Sequence, residues 1–261
     1  MSLVPDLTVT PTPARPQDGV YVSDDVLARL ARVSSGSLST QLFKKGLRQP
    51  VMVGLKPLQA KPKRFAGRAF TMRFIPARED IDTYATLTTA PHVNNLQWVA
   101  VEQAGAGDVV VIDSRRDISA ASMGNMLVTR LMKRGVHGVV TDGAFRDGSE
   151  LAAMTIPTWS AAVTATTRLS FHHVADLQVP VSCAGVAVYP GDVVHGDGDS
   201  VTVVPAAWAE EMADVCEAQD GLEAYLALRL QRGESVWGLY PASEATRAMY
   251  AAWVSAGRPP L

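Results

Sequence analysis

Gly124, Asn125, Arg146 and Asp147 are the residues of this 261-residue sequence whose types and spacing best suit chemistry on a small acid. They bound the stretch GNMLVTRLMKRGVHGVVTDGAFRD, in which a helical pattern runs into a β-branched run and ends on an adjacent cation and carboxylate. The pattern predicts a helix from about residue 123 to 134 and a strand over 136–142. An apolar strand at 108–114 and the loop SRRDISAAS come before the helix. Its first turn therefore falls at the carboxyl end of a strand, where open α/β sheets bind ligands. Unpaired amides there, at Gly124, Asn125, Met126 and Leu127, suit a carboxylate or phosphate, and a glycine lets the ligand come close to the backbone. The returning strand ends beside that turn. The expected cleft is lined by a carboxylate-binding turn, the fixed charge of Arg146 and one hard oxygen ligand, Asp147.

A second reading of Asp147 stands beside this one. With Glu150 three residues on, Asp147 has the spacing of a capping box for the short helix DGSELAAM, and Arg146 can pair with a surface carboxylate. The two roles are compatible, because a capping aspartate has a second oxygen free. Other constellations are set aside on physical grounds. The GAG at 105–107 precedes its strand, whereas a phosphate-binding glycine loop comes after one. His172 and His173, adjacent on a strand, point to opposite faces and cannot share a metal. GDGDS at 196–200 lacks the downstream glutamate of an EF-hand loop and reads as a hairpin turn. No serine sits in a GxSxG elbow.

The elements that must position the cleft are set by pattern. Residues 23–46 read as helix, turn and helix, with Ser23 as N-cap and 34–37 as the break. Residues 64–76 form a strand closed by proline, 92–107 a helix stopped by Gly105 and Gly107, and 156–163 another strand. Residues 179–205 hold three or four short strands between Pro-Gly and Asp-Gly turns. The stretch AAWAEEMADVCEAQDGLEAYLALRLQRGES is a long amphipathic helix, interrupted or kinked at Gly221, that docks on its own subunit or reaches a neighbour. Alternating helix and strand with a hairpin layer after them predicts one mixed α/β layered domain at 21–205. An extended, proline-rich arm at 1–20 precedes it, and a C-terminal helical extension occupies 206–261.

Composition bounds the partners. A net charge of −2 with dispersed Lys and Arg argues against nucleic acid or an anionic membrane as the main partner. No stretch has the length of apolar residues that a membrane span needs. The start of the chain lacks the pattern of a signal peptide. The two cysteines, Cys183 and Cys216, form no CxxC pair. Packing thiols in a reducing cytoplasm are the expectation.

The segments AGRAFTMRF, AGAGDVVVID, GNMLVTRLMKRGVHGVVTDGAFRD and GVAVYPGDVVHGDGDSVTVVP together resemble the RraA-like family. That family includes the 4-hydroxy-4-methyl-2-oxoglutarate/4-carboxy-4-hydroxy-2-oxoadipate aldolases and the regulators of ribonuclease E. The resemblance runs from about residue 34 to 205 and implies the family's swivelling α/β/α fold, with trimers, or trimers paired into hexamers, building sites between subunits. Its aldolases carry an acid, twenty intervening residues and Arg-Asp; here the spacing is kept, but the acid is Asn125.

By that resemblance Asp147 ligates Mg²⁺ or Mn²⁺, Arg146 faces the pyruvyl oxygen, and the amides around 125–127 hold the pyruvyl carboxylate. An acid from a neighbouring subunit's C-terminal helix completes the site, with Glu223 the first candidate and Glu217 the next. The implied activity is cleavage of a 4-hydroxy-2-oxo acid to pyruvate and a carbonyl compound, with oxaloacetate decarboxylation on the side. Asn125 can orient a water but cannot accept its proton. That departure, with the segment Arg115–Asp117 near the cleft, suggests a different 2-oxo acid, such as a sugar-derived one. A non-catalytic ribonuclease or protein regulator and a hydratase or dehydratase are the alternatives.

Overall fold

The fold, seen in a computed structural model that describes residues 19–83, 85 and 95–259, is built on one mixed sheet. Its parallel centre consists of β3 (Phe65–Pro76), β4 (Asp108–Asp113), β6 (Gly138–Thr141) and β8 (Thr158–Ser160), paired in that order. Two short strands, β1 (Val51–Met52) and β2 (Lys56–Pro57), close its edges. On the β3 side, antiparallel β13 (Val193–Gly196) and β14 (Val201–Val204) continue the sheet, and β10 (His172–Leu177) also pairs with β3. The hairpin of β11 (Val181–Cys183) and β12 (Val186–Val188) makes four strands in the segment where three or four were expected.

Alternation along β4 shows why the centre is a continuous apolar run. Val110 and Ile112 face one cluster with Phe70, Met72, Phe74 and the helices α3 (Leu96–Gln103) and α4 (Asn125–Lys133). Val109 and Val111 face the other, with Trp159 and the β11–β12 hairpin. A strand covered on both sides has no polar face to spare.

α1 (Asp24–Leu30) is capped by Ser23, whose hydroxyl accepts from Val26 N. The predicted break at 34–37 is shorter than expected, because Ser34 caps α2 (Ser35–Lys44) and accepts from Ser37 N. The C-terminal region departs from expectation. α6 (Ala209–Gln231) runs unbroken through Gly221, where a Cβ would lie 2.6 Å from the Tyr250 hydroxyl. The glycine admits a neighbour instead of breaking the helix. That neighbour is α7 (Glu244–Ser255), which folds back on α6 through Tyr225, Leu226, Leu239, Tyr250 and Trp253. α6 itself shares a core with α1 and α2. Cys183 and Cys216 are buried, and burial raises both thiols, Cys216 to about 12, so at neutral pH they pack as thiols. No helix among the described residues is long and apolar enough to cross a membrane. The arm expected at 1–20 lies, up to residue 18, outside the described residues, as do residues 92–94 at the start of the expected helix over 92–107.

Candidate active site

A second, three-stranded sheet assembles the cleft. β5 (Ala121–Met123), β7 (Ala144–Phe145) and β9 (Ala162–Val163) run parallel, with Met123 opposite Phe145 and Phe145 opposite Val163. The three strands therefore end at the same level, and the segments leaving their carboxyl ends come together. β5 leads into Gly124, the residue before α4; β7 leads into Arg146 and Asp147. The Arg146 amide donates to Met123 O at 3.0 Å, and the Asn125 amide donates to Asp147 Oδ2 at 3.1 Å. Residues twenty-two apart in sequence are thus joined by one strand register and one charge-assisted hydrogen bond.

Asp147 begins a helix, as expected, but does not cap it with its side chain. It precedes the five-residue α5 (Gly148–Ala152) with a left-handed backbone, φ 59° and ψ 45°, and its side chain makes no capping bond to that helix. The capping-box reading with Glu150 is therefore corrected. The left-handed turn points the carboxylate back to the start of α4, a conformation that aspartate tolerates better than most residues. Gly124 makes room for it: a Cβ there would lie 2.6 Å from Asp147 Oδ2 and 3.1 Å from Arg146 Cγ. Asp147 Oδ1 lies 3.7 Å from Arg146 Nε, and both side chains are partly exposed.

The amides expected at 125–127 divide. That of Asn125 is taken by Asp147, which leaves Met126 and Leu127, in the first turn of α4, as donors toward a ligand. All these residues line one cleft of about 380 Å³, with Gln97, Trp98 and Ser122 on its walls. Thr167 and Arg168, from the turn beyond β9, also line it. Behind the lining, Ser122 belongs to a closed, buried hydroxyl triangle: Ser114 and Ser122 at 2.6 Å, Ser122 and Thr141 at 2.7 Å, Ser114 and Thr141 at 3.1 Å. Gln97 Nε2 donates to Ser122 O, and Asp142 accepts from the amides of Ser114, Arg116 and Ala184. Burial raises the Asp142 carboxyl, with those amides opposing.

Sequence reasoning missed Gln97, Ser122 and Arg168, none of which sits in a motif. Arg168 is the most informative of them: its guanidinium is buried, and burial pulls its pKa down to about 10. Other residues that the sequence brought forward lie outside the lining of this cleft within one chain. Arg115, Arg116 and Asp117 do not line the cleft; Arg115 donates to His172 Nδ1 at 3.1 Å, so that His172 Nε2 donates to Ala120 O. Glu223 is not brought to the cleft of its own chain; it sits on α6 and accepts from Gln219 Nε2 at 2.6 Å. Glu217, on the same helix, is held by Arg29 and Arg32.

Fold and cleft together define an α/β layered protein with a pocket at the ends of parallel strands that holds two arginines and one carboxylate. The chain belongs to the RraA-like family, described as Aldolase/RraA, which matches residues 22–203. Its relatives include proteins named provisionally as 4-hydroxy-4-methyl-2-oxoglutarate aldolases. That of Halalkalibacterium halodurans is 34% identical over 113 residues, 43% of this chain and 53% of its own length. That of Burkholderia mallei is 33% identical over 142 residues, 54% of this chain and 75% of its own. The match thus spans only about half the length of the first relative. Among solved structures, Streptomyces coelicolor RraAS2 superposes with a TM-score of 0.69 at 28% identity, over 82% of this chain and 98% of its own. It is described as an unusual member of the RNase ES inhibitor RraA protein family. An uncharacterized protein from Pseudomonas syringae gives a TM-score of 0.72 at 21% identity over 84% of this chain and 98% of its own, a likeness of fold.

Proposed function

We propose that the protein is a divalent-metal-assisted carbon–carbon lyase of the pyruvate-aldolase type, cleaving a 4-hydroxy-2-oxo acid to pyruvate and a carbonyl compound. The observation that carries this reading is that Asp147 turns away from its own helix to join Arg146 and the open amides of α4 in one cleft. Asp147 is the one carboxylate among the described residues lining that cleft, and no group of three metal-ligating side chains occurs among the described residues. A single hard oxygen suits an ion that keeps most of its waters, Mg²⁺ or Mn²⁺, held by Asp147. Such an ion, when bound, supplies Lewis-acid stabilisation of negative charge on a keto oxygen.

The chain's own groups do the rest. The amides of Met126 and Leu127 bind the pyruvyl carboxylate, reinforced by the positive end of α4. Arg146 places a fixed positive charge on the oxygen that becomes the enolate, a contribution of about 3 kcal/mol for one such donor. Asn125 orients a water at the helix start without taking a proton. As the C3–C4 bond breaks, the proton of the 4-hydroxyl goes to Glu223 supplied by a neighbouring subunit, in a trimer or hexamer, or to a carboxylate of the substrate, and a proton from that base or from water then adds to C3 of the enolate to give pyruvate. The likeness to RraAS2 favours a second reading, a regulator that binds a ribonuclease or another protein through this fold.

The test measures pyruvate released from oxaloacetate and from a panel of 4-hydroxy-2-oxo acids, with Mg²⁺ or with EDTA. Metal-dependent pyruvate is expected from at least one. Asp147→Asn, which keeps the left-handed turn and the bond to Asn125 N, should abolish it with the far-ultraviolet circular dichroism unchanged. No metal-dependent pyruvate from any compound would overturn the lyase reading in favour of the regulator.

A further inference from the structure

The cleft contains a second cation that no carboxylate among the described residues contacts directly. Arg168 lies on the turn Arg168–Ser170 between β9 and β10, lines the cleft, and is 8% exposed. A guanidinium carries five N–H donors. Among the described residues it makes one hydrogen bond, from Nη1 to His172 O at 3.3 Å, and no ion pair. Asp82 favours its charge electrostatically but is committed elsewhere, accepting from His173 Nδ1 at 2.6 Å and from Arg78 N at 2.8 Å. The sequence over 84–94, YATLTTAPHVN, offers no carboxylate either. Burial pulls its pKa to about 10, so it stays charged at neutral pH. Buried charges are kept only when paired, and a buried guanidinium opening on a ligand cleft is paired by the ligand.

We infer that Arg168 is a specificity-determining residue that binds an anionic group, carboxylate or phosphate ester, on the half of the substrate that leaves as the carbonyl product. The inference rests on the proposed lyase function, which places the 2-oxo acid half at Arg146 and the α4 amides. Arg168 enters the cleft from a different element, the turn beyond β9, and Thr167 beside it adds a hydroxyl. Two separate cations in one pocket fit a substrate with an anion at each end. They disfavour acids whose far half is a neutral aldehyde or polyol, because such a ligand would leave Arg168 desolvated and unpaired.

The experiment separates this inference from the lyase reading by measuring binding as well as turnover. Titration calorimetry compares 2-oxoadipate, which has a distal carboxylate, with 2-oxohexanoate, of the same length without it; neither has a 4-hydroxyl. The wild-type protein should bind 2-oxoadipate at least about 30-fold more tightly, Arg168→Met should erase that difference, and 2-oxohexanoate should be unaffected. Arg168→Lys, which keeps the charge and loses the fork, should recover part of it. It also serves as the test variant should the methionine protein fail to fold.

In turnover, 4-hydroxy-2-oxoglutarate and 2-oxo-3-deoxy-6-phosphogluconate report a carboxylate and a phosphate ester at the far end, and 4-hydroxy-2-oxopentanoate reports neither. The kcat/KM for the preferred anionic compound should fall about 30-fold or more in Arg168→Met, while that for 4-hydroxy-2-oxopentanoate stays within about threefold. Equal binding of the two six-carbon acids by the wild type, or an unchanged preference in both Arg168 variants, overturns the inference. Binding discrimination without any turnover would uphold it and remove the lyase reading instead.

Discussion

Replacing Gly124 by alanine tests the cleft without removing any of its functional groups. The backbone at Gly124 is extended, φ −126° and ψ −178°, so alanine meets no conformational barrier there. The whole effect comes from the new methyl, 2.6 Å from Asp147 Oδ2 and 3.1 Å from Arg146 Cγ. A carbon–oxygen contact needs roughly 3.2 Å or more, so the carboxylate must move by at least about half an ångström. Asp147 cannot adjust by shifting its backbone, which is fixed in the left-handed turn between β7 and α5. Its side chain must rotate and give up the Asn125 amide, a charge-assisted bond worth about 1.5–3 kcal/mol.

Alanine is also a poor N-cap, at about 0.5–1 kcal/mol relative to glycine. Together these predict a loss of about 2–4 kcal/mol in stability, read from the denaturation midpoint. Misplacing catalytic groups by about 1 Å costs on the order of 100-fold, so a shift of half that or more should lower metal-dependent pyruvate release by about 10- to 100-fold in kcat/KM. An alanine variant with wild-type stability and full turnover would refute this account, because Asp147 could not then be seated against Gly124 as described.

Two further outcomes concern particular residues. Asn125→Asp adds a carboxylate at the positive end of α4, beside Asp147, and should lower the Mg²⁺ concentration needed for half-maximal effect in a metal titration; an unchanged requirement would count against a cation at Asp147. His195 is buried, and burial pulls its pKa from 6.5 down to about 4, so the unfolded chain takes up a proton between those values and the folded one does not. Its contribution is therefore present above pH 6.5 and is lost on acidification toward pH 4, by about 3 kcal/mol in full. Urea unfolding at pH 7 and pH 4.5 should show a smaller loss for His195→Gln than for the wild type, and an identical loss would refute it.

The parts of this protein legible in its sequence are those that a single physical rule governs. The run DVVVID could only be a strand covered on both faces, and Ser23 sits where a helix needs an acceptor for its first amides. The meeting of Gly124 with Arg146 and Asp147 was implied by strand ends in an α/β sheet. The features that stayed hidden depend on contacts between distant residues. Asp147 has the spacing of a cap, but its left-handed backbone turns the side chain across to another helix. Gly221 has the composition of a kink, but Tyr250 fills the space that the glycine leaves. Arg168 belongs to no pattern at all; only its burial against the cleft singles it out.

The parallel pairing of β5 with β7 gives the twenty-residue gap between Asn125 and Arg146 a different meaning. None of those intervening residues except Met126 and Leu127 lines the cleft; the rest build α4, its turn and β6, the path by which the chain leaves β5 and returns as β7. The spacing is a ruler for the length of a crossover. An extra residue in the turn at 134–137 would be absorbed at the surface and leave both ends of the ruler in place. One lost inside α4 would rotate Val128 and Leu131 out of the core by about 100° relative to the helix start. A signature read as chemistry is therefore, over most of its length, a measurement of architecture, and only its two ends touch what the cleft holds.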